Sequence, residues 1–387
     1  MHDTVFPRTI AAANAVADDP AFGAVVPPLY LSTTFQALGL GQGGPYDYSR
    51  SRNPTREQLA DTLARLEQGA GAVITSSGMA ATNLLLDRLR SGDLVIAPHD
   101  AYWGTQRLMA ARAERGHFQV LLIDQGDPEA LAVALARRPA LVFLETPSNP
   151  LMRIVDIARI AKASHEAGAK VAVDNTFLSP ALQQPIALGA DFVVHSTTKF
   201  INGHSDVVGG AVIAADAEDV ADLASWSNMT GVAGSPFDAY QTLRGLRTLF
   251  ARVERQQRSA QAIAAFLEAH PCVSAVHYPG LASHPNHALA LAQQQGPGAM
   301  LSFELKGGRA AVDALLVTLR VFTLAVSLGG VESLVTHPAS MTHTRMSSLA
   351  KAQAGVSDAL LRLSIGLEDE RDLAADLDMA LEEARWT

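Results

Sequence analysis

A single cysteine, Cys272, serves the whole chain, which excludes an intramolecular disulfide and any cysteine-rich metal site. It reads as a small buried apolar residue. Positive charge is also scarce. Lys and Arg number 30 against 39 acidic residues, for a formal net charge of −9. No basic excess exists to neutralise phosphates, so a nucleic-acid partner is not expected. An anionic substrate is repelled at long range and must be held by local arginines or helix N-termini. No uninterrupted apolar run is long enough to span a bilayer, and Met1-His2-Asp3-Thr4 lacks the basic-then-apolar pattern of a secretory leader. These absences predict no membrane partner and a cytoplasmic location. No repeat or low-complexity segment stands out, and His204, His337 and His343 fall at no spacing that suits a metal ion.

What is present is a chain of 387 residues, 48% hydrophobic and 18% charged, enough for one large domain and a smaller one. Residues 1–55 read as an extended arm. They are rich in Gly and Pro, as in Gly41-Gln42-Gly43-Gly44-Pro45, and a segment that long without regular structure is expected to wrap a partner. Asn53-Pro54-Thr55 then opens a helix carrying Leu59, Leu63 and Leu66 at helical spacing. Through residues 56–255, short apolar runs at 94–97, 120–123, 140–144, 171–173, 192–194 and 211–214 read as buried strands. Most are separated by helical stretches such as 127–138 and 155–167. Continuously apolar strands alternating with helices predict an α/β fold with a mainly parallel central sheet covered on both faces. Ligands of such sheets sit beyond the carboxyl ends of the strands. Over 256–387 the pattern changes. A long helix leads to Met300-Leu301-Ser302-Phe303-Glu304-Leu305, which alternates like a half-exposed strand, and a final helix covers 369–385. This predicts a smaller C-terminal α/β domain with an antiparallel sheet.

The residues that follow the strands carry the chemistry. After the strand at 192–194 come His195-Ser196-Thr197-Thr198-Lys199. An ammonium is costly to bury there, and a Schiff base removes that cost by using the amine covalently. Ser196 and Thr198 can both donate to a phosphate. Taken alone, Lys199 also fits a solvated lysine at a strand end. Val171-Ala172-Val173-Asp174 ends another strand with an acid, which suits either a turn cap or a partner for a protonated pyridine nitrogen. Thr75-Ser76-Ser77-Gly78-Met79-Ala80 is a small-residue turn opening a helix, whose free backbone N–H groups can cradle a phosphate. Tyr102, after the strand at 94–97, can stack on a pyridine ring or belong to the core.

Several ordered stretches together carry a resemblance. They are Tyr48-Ser49-Arg50 with Asn53-Pro54-Thr55, Ser77-Gly78-Met79, Glu145-Thr146-Pro147-Ser148-Asn149-Pro150, Val173-Asp174-Asn175-Thr176, His195 to Lys199, and Ser327-Leu328-Gly329-Gly330. Over nearly its whole length the chain resembles the Cys/Met-metabolism family of fold-type I enzymes that use pyridoxal 5'-phosphate (PLP). The resemblance implies PLP as cofactor, Lys199 as its Schiff-base lysine and proton shuttle, Asp174 as the pyridinium partner, and Tyr102 as the stacking ring. Gly78, Met79, Ser196 and Thr198 match the phosphate cup. Tyr48 and Arg50 match residues that reach the phosphate of a neighbouring subunit's cofactor, and the resemblance also implies a homotetramer built as a dimer of dimers. Asn149, Ser327 and Arg362 match the substrate side, with Arg362 on the α-carboxylate. Arg107 is a candidate for a succinyl carboxylate, or an exposed helix arginine.

Within the family, Asn202-Gly203-His204-Ser205-Asp206 and Leu243-Arg244-Gly245-Leu246-Arg247 are similar to the γ-replacement branch, which exchanges the acyl group on homoserine's γ-oxygen for the sulfur of L-cysteine. The family's γ-synthases and γ-lyases usually carry Glu where Val326 stands, whereas methionine γ-lyases carry Val there, so γ-elimination to 2-oxobutanoate is the alternative. Trp103, where the synthases usually have Gly, is expected to change the pocket's volume. Gly104 stands where methionine γ-lyases carry a cysteine. A non-catalytic relative of the fold would be expected to lack Lys199 or Asp174, and both are present.

Overall fold

The computed structural model describes residues 5–19, 21–344, 346 and 348–385. Two sheets organise them. The larger has seven strands: β1 (Gly71–Thr75), β2 (Leu94–Pro98), β3 (Gln119–Ile123), β4 (Leu141–Glu145), β5 (Lys170–Asp174), β6 (Phe192–His195) and β7 (Gly210–Ala214). Their spatial order is β1-β7-β6-β5-β4-β2-β3. Neighbours from β3 through β6 pair in parallel, whereas β7 runs antiparallel to both β6 and β1. Val142, Phe143, Leu144, Val171, Ala172 and Val173 are almost wholly enclosed, as expected of strands covered on both faces. Separate apolar clusters lie on the two sides, with Phe143 and Phe192 in one and Val142 and Val171 in the other.

The sequence pattern places six of these strands. The seventh, β1, escapes it because it is short, opens with Gly71-Ala72 and is only half-buried along most of its length. A second difference lies in the arm. Pro7–Ala13 forms a helix, α1, where the sequence reads as irregular. Its two turns bury Ile10 and Ala11 against Leu63 of the next helix, α2 (Pro54–Glu67), so tertiary burial rather than intrinsic propensity holds it. At the start of α2, the Asn53 side chain accepts from the N–H groups of Thr55 and Arg56, with Pro54 in the first turn.

The smaller sheet holds β8 (Val273–His277), β9 (Met300–Leu305), β10 (Thr323–Leu324), β11 (Leu334–Thr336) and β12 (Leu360–Ser364), in the order β10-β11-β12-β9-β8. All its pairings are antiparallel except β10 with β11. Phe303, Leu361 and Leu363 pack beneath the helices Leu249–Ala269 and Glu370–Ala384. Cys272 is half-buried at the edge of this cluster.

Connections from β2 lead outward to β3, while those from β4 lead the other way to β5 and β6. The sheet order reverses between β2 and β4, and crevices at such a reversal are where α/β sheets bind ligands. Phe303 tests the smaller core. Phe303→Ala removes a fully buried ring and is expected to cost about 3–5 kcal/mol, read as a lower urea midpoint for the transition that exposes the second sheet. An unchanged midpoint would contradict this packing.

Candidate functional site

Four strand ends meet at that crevice around a cavity of about 480 Å³. After β2, helix α4 (Trp103–Glu114) begins at Tyr102, and the Tyr102 side chain reaches the cavity. β4 ends on Glu145 with Asn149 just beyond it, at the end of β5 stands Asp174, and after β6 come Ser196, Thr198 and Lys199. Helix α3 (Gly78–Leu86) adds Gly78 and Met79 at its first turn. The second sheet closes the other side with Ser327 and Arg362. Ten of the candidate cofactor and substrate residues named from the sequence, together with Val326, therefore line one cavity.

Lys199 sits in the turn after β6, with Nζ 2.6 Å from Ser327 Oγ. Burial, with Arg362 as a nearby positive charge, pulls its amine down to about 8. Asp174 responds in the opposite sense. Burial raises its carboxyl above the usual range, while the Thr176 N–H donates to Oδ1 at 3.0 Å and opposes that rise. Glu145, in register with Asp174 on the adjacent strand, is pushed well upward by burial and by the Asp174 charge. Both desolvated groups lean toward neutrality, which is how a site prepares an amine nucleophile and an acid for a cationic guest.

The phosphate-type end is built from small residues. Ser77 caps α3 by accepting from the Ala80 N–H, which leaves the Gly78 and Met79 N–H groups without acceptors among the described residues. Gly78 approaches so closely that a Cβ there would lie 2.6 Å from Ser196 Cβ. The Ser196 hydroxyl has no protein partner among the described residues, whereas the Thr198 hydroxyl donates to Gly209 O at 3.2 Å and accepts from Gly209 N–H at 3.0 Å. A helix N-terminus with free donors beside a hydroxyl is a ready anion cradle.

Arg362 is 2% exposed and lies on β12. Its Nη1 donates to Asn149 Oδ1 at 2.8 Å and its Nη2 to Ser327 O at 2.9 Å. Buried Nε has no acceptor among the described residues, and burial lowers the guanidinium to about 10. Such a fork invites a carboxylate. Ser327 holds the left-handed φ of 88°, a strained conformation for a residue with a side chain, at the point where it meets both Lys199 and Arg362.

Other candidates lie elsewhere. Tyr48 and Arg50 do not line their own chain's cavity. The guanidinium of Arg50 sits 5.5 Å from the Tyr48 ring centroid, and its Nε donates to Asn228 Oδ1 at 3.0 Å. Arg107 is exposed on α4 and also stands off the cavity. Trp103 does not line it either. Its side chain packs on the small cluster of Ala339, Ala354 and Val356, so the expected change in pocket volume does not arise by direct contact. Gly104 matters more, because a Cβ at that position would collide with the Tyr102 ring. Sequence reasoning gave no role to Glu145, although its carboxyl accepts the Tyr102 N–H at 2.7 Å and so fixes the start of α4. Its signal was the one that marked Asp174, an acid closing an apolar strand.

Comparison with known proteins adds names to this geometry. The chain is 52% identical to the cystathionine gamma-synthase of Escherichia coli (strain K12) over 371 residues, covering 96% of both chains. A crystal structure of cystathionine gamma synthase from Xanthomonas oryzae pv. oryzae in complex with aminoacrylate and cysteine superimposes with a TM-score of 0.98 at 56% identity, covering 99% of this chain and 100% of that one. The cystathionine gamma-lyase of Dictyostelium discoideum is 43% identical over 365 residues, 94% of each chain. The sequence profile of the Cys/Met metabolism PLP-dependent enzymes matches residues 8–382, and this chain belongs to that family.

Proposed function

We propose that this chain performs γ-replacement on O-succinyl-L-homoserine or its O-acetyl counterpart. The γ-oxygen leaves with its acyl group as succinate or acetate, the sulfur of L-cysteine bonds to Cγ, and L-cystathionine is formed. The observation that carries the reading is the convergence of Lys199, Asp174 and Arg362 on one cavity. The chain's similarity to synthases of that name supports it.

The residues fit PLP. The free N–H groups of Gly78 and Met79, with the Ser196 hydroxyl, suit its phosphate. Asp174 suits the pyridine nitrogen, because a cation beside a buried carboxyl restores its ionised form. Bound there, the cofactor supplies an electron sink next to the substrate's α-carbon. Lys199 Nζ would hold the cofactor covalently and, as a free amine, would serve as the base for the α-proton. Its lowered pKa leaves much of it neutral near pH 8. Arg362 holds the α-carboxylate with Asn149 beside it. The Tyr102 ring, which lines the same cavity, would stack on the cofactor, and its hydroxyl would serve as an acid or base toward the γ-end. Arg107 stands outside the cavity of the isolated chain and meets the succinyl carboxylate only if the bound substrate extends to it.

A second reading, γ-elimination of cystathionine to 2-oxobutanoate, ammonia and cysteine, has one observation in its favour. Val326 lines the cavity with an apolar wall where a carboxylate would grip an incoming ammonium.

We infer the assembly from the arm, residues 1–55. Phe22 is 94% exposed and Leu38 75%, apolar surface that asks to be covered. With Tyr48 and Arg50 off their own cavity, the arm suits completion of a neighbouring subunit's site in a homotetramer. Among the described residues no helix is long and apolar enough to cross a membrane, and a cytoplasmic setting fits the substrates proposed.

Two outcomes follow. With O-succinyl-L-homoserine and saturating cysteine, cystathionine is expected to exceed 2-oxobutanoate; the reverse ratio selects the lyase reading. The Lys199 amine also has a pH signature. Stripped of cofactor, the protein is expected to capture PLP at a rate that rises roughly tenfold per pH unit and levels off near pH 8. A rate still climbing past pH 10, as for an exposed lysine, would contradict the desolvated amine.

A further inference from the structure

Glu67 ends α2 and is completely buried, and against it lies a second completely buried titratable group, His195. His195 Nε2 is 2.6 Å from Glu67 Oε1. Neither residue lines the cavity. The location is a poor one for a carboxyl. The last turn of a helix presents its negative pole, and the group has lost all contact with water. Glu67 Oε2 and His195 Nδ1 have no hydrogen-bond partners among the described residues. A well-packed apolar pair of similar volume would serve stability at least as well.

What the pair connects is specific. Glu67 Oε1 also accepts from Asn175 Nδ2 at 2.9 Å. One carboxyl oxygen thus grips the residue after Asp174 and the residue before Ser196. Because side chains alternate in direction along extended backbone, Asp174 and Ser196 face the cavity while Asn175 and His195 face Glu67. The network continues outward. Gln183 Nε2 donates to Asn175 Oδ1 at 3.1 Å and to Thr146 O at 2.9 Å, next to Glu145. Two further bonds stitch the strand ends together, from Asn175 N to Val194 O at 3.0 Å and from Ser196 N to Thr176 Oγ1 at 2.9 Å.

We infer that Glu67 is a positioning residue which, through Asn175 and His195, fixes the separation between Asp174 and Ser196. These are the two ends of the proposed cofactor cradle, and the inference rests on that reading of the cavity. PLP spans a fixed distance from ring nitrogen to phosphate, so its affinity depends on anchors set in advance at that distance. Buried networks of this kind act as a unit, and removing the shared acceptor loosens both anchors at once.

The test compares wild type, Glu67→Leu and Glu67→Gln as full chains, stripped of cofactor and titrated with PLP by fluorescence, with thermal unfolding recorded for each cofactor-free protein. Glu67→Leu is expected to weaken PLP binding by roughly tenfold or more. Glu67→Gln keeps a carbonyl oxygen for both donors and is expected to regain most of that affinity. A purely structural role would lower the unfolding temperature and leave affinity per folded site unchanged. PLP affinity of Glu67→Leu within about twofold of wild type overturns the inference. Should that variant fail to fold, Asn175→Ala cuts one arm of the same grip, and wild-type affinity there is equally fatal. Failure of the wild type to take up PLP would instead remove the reading of the cavity itself.

Discussion

The structure depends on keeping an amine and a carboxyl away from water at the ends of adjacent parallel strands. Lys199 follows β6 and Asp174 closes β5, and both strands are enclosed on either face. Desolvation moves the two groups in opposite senses, the amine downward and the acid upward. Desolvation disfavours the charged form of each. A guest with an aldehyde for the amine and a basic ring nitrogen for the acid relieves both, so the cost of burial becomes selectivity for one kind of cofactor.

The site is shared between two sheets, and that division has consequences. The larger sheet supplies the groups suited to the cofactor, while Arg362 arrives from β12 of the smaller one and reaches back to Asn149. Ser327 links the halves, its hydroxyl on Lys199 and its carbonyl on Arg362. Its left-handed backbone is the strain that lets one residue meet both. A shift of one sheet against the other would change the surroundings of Arg362 and of the Lys199 amine together.

Much of this was legible in the sequence, for physical reasons that differ by element. Parallel strands buried on both faces announce themselves as continuous apolar runs, and Lys199, Asp174 and Tyr102 stand where such runs stop. Short or half-buried elements give weaker patterns, so β1 and α1 were missed. Arg362 is a different case. Its strand lies 213 residues from Asn149 in the chain, and only resemblance placed it at the site. The Glu67–His195 contact spans 128 residues and depends on which face of α2 turns inward at its last residue, a property of packing that spacing does not reveal. Arg107 and Trp103 show the converse. Trp103 follows Tyr102 and Arg107 lies one helical turn further on, positions that suggest pocket contacts, but neither side chain lines the cavity.

The central claim is that Lys199 is the covalent anchor, and reduction with borohydride tests it at a single atom. The PLP-loaded protein is reduced, digested and mapped by mass spectrometry. The account predicts a phosphopyridoxyl mass on Lys199 and loss of the yellow absorbance. The same label on another lysine, or none at all in a protein that still turns over, would contradict it.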